Sequence, residues 1–235
     1  MKTAIIIPAY NESATIKTVV ETVRDMGIPI VVDDCSTDGT GDLARQAGAE
    51  VVTHANNRGY DGALQSGFEK AVGLGVDIVV TFDADGQHDA AVLERMIEPI
   101  LKGRADLVLG IRLQSARLAE RVFNGYARLR FGVGDILCGL KAYHLDLFKA
   151  HGRFDGVRSI GTELALYGLR HHARFETIPV PVLPRKGSAR IGSRWKANAI
   201  IFRALFMMMD RDLRESLFGN AEDHGMAKPH ARRST

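Results

Sequence analysis

Two aspartates separated by one residue, Asp83 and Asp85, follow an apolar run of strand type at Asp77–Phe82. Alternate residues of an extended chain point the same way, so both carboxylates can converge on one point. Carboxylates this close repel each other unless a cation lies between them or one holds a proton. Because hard divalent cations prefer oxygen ligands and also bind diphosphate oxygens, the pair predicts a Mg²⁺ or Mn²⁺ site that Gln87 could complete. The alternative is a solvated turn in which Asp89 caps the next helix.

A second acidic loop follows the strand predicted at Ile28–Val32 and begins with Asp33 and Asp34. An acidic residue after an early strand of a parallel sheet commonly binds a ribose hydroxyl or a base edge. We take Asp34, in preference to Asp33, as the ligand contact. Helix capping by Ser36 or Asp38 is the alternative, and capping and ligand binding can coexist.

Short β-branched runs alternate with amphipathic segments through the first hundred residues. The predicted strands are Ala4–Ile7, Ile28–Val32, Glu50–Thr53, Asp77–Phe82 and, after these, Leu107–Leu109. Near-continuous apolar strands separated by helices indicate an α/β domain with a mostly parallel central sheet and helices on both faces. Ligands bind such sheets beyond the carboxyl ends of the strands, where the first four strands all open onto polar loops. Four such loops at one edge predict a site.

From about Asp106 the pattern loosens, although a succession of elements is still predicted. These are helices at Ser115–Phe131, Leu145–Ala150, Thr162–Arg170 and Trp195–Met209, and a strand at Phe175–Pro181. We expect one domain over 1–218, with a donor-binding half of about 1–112 and an acceptor-binding half of about 113–218. The polar tail, 219–235, has little periodicity and is expected to be disordered.

Charge and composition exclude several classes of protein. The net charge of +3 is too small for a strong polyanion binder, so nucleic acid is not an expected partner. The two cysteines have no metal-binding spacing, which favours a reduced, cytoplasmic chain. The longest apolar run, Ala199–Met209, contains Arg203 and is shorter than the ~20 residues that span a bilayer. Its helix could lie at the inner face of a membrane, at a subunit interface of a homo-oligomer or in the core, and these interpretations stay open.

The polar loops together resemble the GT-A glycosyltransferases of family two, which have a Rossmann-like nucleotide-diphospho-sugar transferase fold. The matching motifs are Pro8-Ala9-Tyr10-Asn11-Glu12, Asp33 to Thr40, Asn57-Arg58-Gly59 with Gly62-Ala63-Leu64, and Asp83 to His88. Gln87-His88 is similar to the dolichol-phosphate mannose synthase and polyprenyl-phosphate glycosyltransferase branch. The resemblance implies a UDP- or GDP-sugar donor, inversion at the anomeric carbon and a lipid-phosphate acceptor. It also implies site residues: Pro8, Tyr10, Glu12 and Asp34 for the nucleoside, and Asp83, Asp85 and Gln87 for the metal and diphosphate.

Two segments of the second half fit the same branch. Asp135 to Ala142 resembles the family's Asp-x-x-Ser/Cys-Gly-Phe-Arg/Lys segment, which faces the sugar and acceptor. Pro184 to Ser193 resembles its basic, Gly/Ser-rich loop that closes on phosphates. By itself this segment is only a flexible basic turn, but in this context Arg185 and Arg190 are candidate contacts of the leaving group or acceptor phosphate. Arg112 is a weaker candidate.

The catalytic base depends on the acceptor. Inverting transfer to a hydroxyl requires a carboxylate, for which Glu163 and Asp135 are the candidates. Glu163 could equally be an acid that stabilises a helix N-terminus. A phosphate acceptor has a second pKa near ~6 and needs no base. A polyprenyl phosphate is therefore preferred, a sugar hydroxyl in cell-surface polysaccharide synthesis is the alternative, and a non-catalytic nucleotide-sugar-binding subunit would need a lost metal site, whereas Asp83 and Asp85 are intact.

Overall fold

Seven strands and eight helices make up the part of the chain that the computed structural model describes, namely residues 1–85, 91–112, 118–156, 159–181 and 194–218. The strands are β1 (Thr3–Ala9), β2 (Ile28–Asp33), β3 (Glu50–Thr53), β4 (Ile78–Thr81), β5 (Leu107–Arg112), β6 (Lys141–His144) and β7 (Phe175–Val180). The helices are α1 (Ile16–Val23), α2 (Thr40–Gln46), α3 (Gly59–Gly73), α4 (Ala91–Leu101), α5 (Leu118–Phe131), α6 (Leu145–His151), α7 (Glu163–Arg170) and α8 (Arg194–Phe218).

The strands form one sheet in the order β3-β2-β1-β4-β6-β5-β7. All neighbouring pairs are parallel except the two that involve β6, which runs antiparallel to β4 and to β5. The expectation of a mostly parallel α/β sheet is therefore confirmed. The sequence did not predict β6, because its first residue is a lysine and the four-residue strand shows no apolar alternation. The carboxyl ends of β1, β2 and β4 lie at the same edge.

Two hydrophobic clusters, one on each face of the sheet, hold the helices in place. Ile5 and Ile7 of β1 face one cluster, with α1 and α4, while Ile6 faces the other, with α3, α5, α7 and α8. This alternation follows from the pleat, which turns successive side chains to opposite faces. Helix α3 lies directly on β1, since a Cβ at Gly67 would come within 2.3 Å of Ile6 Cγ2. Burying one such isoleucine contributes roughly 1.5–3 kcal/mol.

Helix α8 extends nine residues beyond the predicted end at Met209. Asp212, in this extension, accepts hydrogen bonds from Tyr126 Oη and Arg130 Nε on α5, at 3.0 Å each, and from Arg170 Nε on α7 at 3.3 Å. These long-range contacts extend the helix past the apolar stretch that periodicity detects. No helix in the described ranges is long and apolar enough to cross a membrane.

Candidate active site

The Asp83-Ala84-Asp85 segment leaves the sheet beside β1. Phe82 N donates to Ile6 O at 2.9 Å, which continues the β1–β4 alignment past the end of β4. Ala84 is buried and its carbonyl oxygen lies 2.8 Å from Thr15 Oγ1, whereas the two aspartates that flank it are partly exposed. Because Thr15 Oγ1 is also 3.1 Å from a carboxylate oxygen of Glu12, this hydroxyl brings the Glu12 loop and the aspartate pair together.

The donor set at this edge fits a hard divalent cation. Gly139 passes over Asp83 so closely that a Cβ there would lie 2.9 Å from Asp83 Oδ2, and the glycine therefore leaves the carboxylate its space. The described residues contain no cluster of three or more His, Cys, Asp or Glu side chains that would enclose a metal. Mg²⁺-type sites commonly use one or two carboxylates and complete their shell with substrate phosphates and water. Gln87, the third predicted ligand, lies outside the described residues.

The loops after β1 and β2 are joined by hydrogen bonds. Asn11 N donates to Ser36 Oγ at 3.0 Å, and Thr37 N donates to Asn11 Oδ1 at 2.9 Å. Pro8 is buried in β1, while the Tyr10 side chain is among the exposed large hydrophobic groups, at 44%. An exposed ring on a loop held by its neighbour is suited to packing on a base.

Asp34 anchors the start of α3. Its carboxylate is buried and accepts hydrogen bonds from the backbone N–H groups of Arg58 and Gly59, both at 2.8 Å, and lies 2.7 Å from His54 Nδ1. His54 Nε2 lies 2.9 Å from Ser66 Oγ, which extends the chain of contacts into the middle of α3. The contact between Asp34 and the nucleoside stays a prediction. His54 and Ser66 were not predicted from the sequence, because their spacing carries no motif.

Asp135 is held by the guanidinium of Arg112. The Nε and Nη2 atoms of Arg112 donate to its two oxygens at 2.7 and 3.0 Å, and Asn124 Nδ2 donates at 3.1 Å. Burial by itself raises the pKa of Asp135, but the hydrogen bonds and charge of Arg112 outweigh burial, so the pKa lies below its ordinary value. A buried carboxylate of lowered pKa, engaged by an arginine, is poorly suited to remove a proton from a hydroxyl.

Glu163 is completely buried at the start of α7. Its carboxylate accepts hydrogen bonds from Arg153 Nε at 3.0 Å and from Gly156 N at 2.6 Å, and lies 3.1 Å from His151 Nε2. These partners come from the segment that precedes α7, so Glu163 folds that segment back onto the helix. Because the Glu163 side chain is fully buried in this conformation, it is not accessible to an acceptor hydroxyl.

Lys141 connects the loop before β6 with the turn before α7. Its Nζ is buried and donates to Cys138 O at 2.6 Å and to Gly161 O at 3.2 Å. Burial lowers its pKa. Nearby, burial and the charge of Asp155 raise the pKa of Asp61 to about 7. The segment over Asp83 is thus held by the buried Lys141, whose burial the sequence did not reveal.

A polar cavity of about 260 Å³ lies beside the Asp135 network. Its lining residues are Arg121, Asn124, Gly125, Arg128 and Gly134. Asn124 belongs to both sites, because its side chain also donates to Asp135. Two guanidinium groups beside a glycine form a surface suited to an anion such as a phosphate. The predicted phosphate contacts Arg185 and Arg190 lie outside the described residues.

The fold is one that solved nucleotide-sugar enzymes share. The glucosyl-3-phosphoglycerate synthase of Mycobacterium tuberculosis, in complex with Mn²⁺, uridine diphosphate and phosphoglyceric acid, aligns with a TM-score of 0.69 at 19% identity, covering 89% of this chain and 78% of that one. The mannosyl-3-phosphoglycerate synthase of Rubrobacter xylanophilus aligns at 0.70 and 16%, covering 97% and 79%. At these identities the likeness shows the GT-A-like fold alone.

The sequence comparisons show the family. The chain belongs to Glycosyl transferase family 2, whose pattern matches residues 4–135, and it is a glycosyltransferase. An undecaprenyl-phosphate mannosyltransferase of Micrococcus luteus is 31% identical, over 92% of this chain and 87% of that protein. A UDP-N-acetylglucosamine–dolichyl-phosphate N-acetylglucosaminyltransferase of Methanococcus voltae is 32% identical, over 87% and 94%. The resemblance to family-two enzymes of the polyprenyl-phosphate branch is confirmed.

Proposed function

We propose that this glycosyltransferase moves a sugar from a UDP- or GDP-sugar to a polyprenyl phosphate, with inversion and with Mg²⁺ or Mn²⁺ bound at Asp83 and Asp85. The observation that carries the proposal is that the two candidate bases, Glu163 and Asp135, are both buried and bound to arginine. A hydroxyl acceptor needs a base, whereas a phosphate acceptor does not. Two relatives, an undecaprenyl-phosphate mannosyltransferase and a dolichyl-phosphate N-acetylglucosaminyltransferase, agree with this choice by their names.

The reaction is a displacement at the anomeric carbon. An oxygen of the acceptor phosphate forms the new bond to this carbon as the bond to the β-phosphate oxygen breaks, and the nucleoside diphosphate leaves with the electron pair. A divalent ion, when bound, neutralises charge on the diphosphate. The phosphate monoester has a second pKa of roughly 6, so its attacking oxygen is largely ionised at neutral pH and no proton passes to the protein.

The described residues divide between the two substrates. We assign Tyr10 and Glu12, in the joined loops at the carboxyl ends of β1 and β2, to the nucleoside. Arg121 and Arg128 line the cavity that we assign to the acceptor phosphate. Arg112 supports this cavity, since it holds Asp135 and Asp135 holds Asn124 of the cavity wall.

Arg185 and Arg190 belong to the same proposal through their motif only. The loop they occupy resembles one that closes on phosphates, and we assign both to the leaving diphosphate or the acceptor phosphate. The sites of the substrates therefore combine contacts from the described loops with two arginines whose assignment comes from sequence.

The acceptor site is tested with Arg121→Gln and Arg128→Gln. We expect the KM for a short polyprenyl phosphate to rise about tenfold or more, because each variant removes a charge-assisted contact of roughly 1.5–3 kcal/mol, while the KM for the nucleotide sugar stays near the wild-type value. Arg24→Gln is the control, since Arg24 follows α1 at the opposite edge of the sheet and is exposed. Equal acceptor KM values in all three variants would show that the cavity does not bind the acceptor phosphate.

The alternative acceptor is a sugar hydroxyl. It would be supported by transfer to a glycan together with no transfer to polyprenyl phosphate, and by loss of activity in Glu163→Gln or Asp135→Asn without loss of stability. Asp85→Ala tests the metal in either case, and a variant that transfers sugar at the wild-type rate would exclude Asp85 from the mechanism.

A further inference from the structure

Helix α5 exposes a stripe of large apolar side chains. Leu118, Val122 and Leu129 are 66%, 43% and 91% exposed. At about 100° per residue these three positions fall within a narrow sector of the helix surface, so they form one stripe. A single exposed leucine is ordinary on a protein surface, but an aligned set on one helix marks a contact surface.

Arginines flank this stripe, without exposed acids. Arg121 and Arg128 each precede an apolar residue of the stripe by one position, which places them on the adjoining sector, two turns apart. Both line the polar cavity, so the cavity adjoins the stripe along α5. Over 118–131, all of which the structure describes, Glu120 is the single acid, and it is buried with a carboxylate oxygen 3.7 Å from Arg112 Nη2. The exposed charge of this face is therefore positive.

Helix α8, which α5 holds through Asp212, shows a related pattern. Phe206, Met209 and Leu213 are exposed at helical spacing, while Ile201 and Met208 on the other side pack into the core. The expectation left open for this helix is thus answered in part, since one side of it belongs to the core. The exposed side of α8 also carries an acid, Asp210, so α5 is the better candidate for contact with an anionic surface.

We propose that the α5 face formed by Leu118, Val122 and Leu129 docks onto an anionic lipid bilayer and sets the Arg121–Arg128 cavity at the level of the lipid phosphates. This inference rests on the proposed function, since a polyprenyl phosphate presents its phosphate at a membrane surface. Apolar side chains enter the boundary of headgroups and acyl chains, and basic side chains beside them bind anionic headgroups. Each arginine near such a surface strengthens binding about fivefold, by the ~1 kcal/mol typical of a basic residue.

Charge favours a bilayer over a second copy of this chain. In a two-fold symmetric contact the same patch meets itself. The positive α5 faces of the two copies would then meet with no exposed acid of α5 to compensate, and like charges brought together oppose association. An anionic bilayer complements both features of the face, its apolar stripe and its positive charge.

The test is flotation of the full chain with vesicles that contain neither donor nor acceptor. We expect the wild type to bind phosphatidylglycerol-containing vesicles at least about tenfold more strongly than phosphatidylcholine vesicles, and more weakly as salt rises. The double variant Val122→Gln/Leu129→Gln should lose about tenfold in binding to the anionic vesicles. Leu101→Gln, at an exposed leucine of α4 on the opposite face of the sheet, should bind as the wild type.

Three outcomes would overturn the inference. The first is that the wild type shows no preference for anionic vesicles, and the second is that the double variant binds these vesicles as strongly as the wild type. The third is that the wild type sediments as a dimer, which the double substitution disrupts without a change in vesicle binding. Failure of docking is distinguished from failure of the proposed function with a short, water-soluble polyprenyl phosphate. The double variant should glycosylate this acceptor at the wild-type rate, whereas a protein that does not act on polyprenyl phosphates would leave it unmodified in every variant.

Discussion

Replacement of Glu163 by glutamine tests whether this residue is a buried structural acid or a catalytic base. The carboxylate accepts hydrogen bonds from Arg153 Nε and Gly156 N and contacts His151 Nε2. Glutamine removes the charge and turns an NH₂ group toward one of these donors, so at least one of them loses its acceptor. Hydrogen bonds to charged groups contribute roughly 1.5–3 kcal/mol each.

The expected size of the effect follows from the exposure of the partners. The Arg153 side chain is 51% exposed and can turn to water, which limits the loss at that contact. His151 is nearly buried and Gly156 N is fixed in the backbone, so the cost falls mainly on these two. We therefore expect Glu163→Gln to lower the free energy of unfolding by about 2–4 kcal/mol.

The assay combines urea unfolding with steady-state kinetics on a polyprenyl phosphate. Below the unfolding transition, kcat of Glu163→Gln should stay within about tenfold of the wild type, whereas loss of a general base lowers kcat by roughly 10²–10⁴-fold. Glu176→Gln is the matched control, since Glu176 also accepts from an arginine Nε at 3.0 Å but on the surface, where such pairs contribute about 0–1 kcal/mol. A Glu163→Gln protein of unchanged stability that has lost 10²-fold or more in kcat would refute this reasoning.

Two further predictions concern the proposed metal site and Asp61, a half-buried acid of α3. Gly139→Ala should raise the Mn²⁺ concentration for half-maximal activity about tenfold or more, because its Cβ would lie 2.9 Å from Asp83 Oδ2. Gly73→Ala is the control and should leave this concentration unchanged, since a Cβ there meets no atom within 4 Å. Equal Mn²⁺ concentrations in the two variants would contradict the prediction. The raised pKa of Asp61, about 7 in the folded chain against 3.8, means that the folded state binds the proton more tightly, so stability falls as pH rises through that window. Asp61→Asn should therefore gain in unfolding free energy relative to the wild type between pH 5 and pH 8, as urea titrations at the two pH values can show, and a difference independent of pH would refute it.

Strand and helix positions in the first hundred residues were predictable because the apolar residues of each element recur at the period typical of a strand or a helix. The strand β6 was not, because Lys141 is buried there and donates to Cys138 O of the preceding loop and to Gly161 O, twenty residues further along the chain. The end of α8 was likewise invisible, since Asp212 is bound by side chains from two other helices. A periodic pattern reports which face is buried, but it carries no information about a charged residue whose partners are distant in sequence.

The candidate site divides in the same way. The Asp83 and Asp85 pair was predicted to bind a metal from its spacing together with the polar loops that follow the other strands, because alternation along an extended chain is a local property. Whether a carboxylate is committed to the protein is a tertiary property. Asp34 is bound by donors some twenty residues away, and Asp135 by Arg112, and neither pairing leaves a signature in the sequence. The structure therefore shows which protein groups hold Asp34 and Asp135, and the binding of a metal by Asp83 and Asp85 stays a prediction.

The most direct test of the central claim compares a short polyprenyl phosphate with the matching polyprenol as acceptor. Purified protein would be incubated with UDP- and GDP-sugars and with Mn²⁺ or a chelator, and glycolipid and released nucleotide would be measured together. The account predicts glycolipid from the phosphate only, in the presence of metal only, with one nucleoside diphosphate released per glycolipid formed. Transfer to a hydroxyl acceptor but not to the phosphate, or transfer undiminished by the chelator, would contradict it.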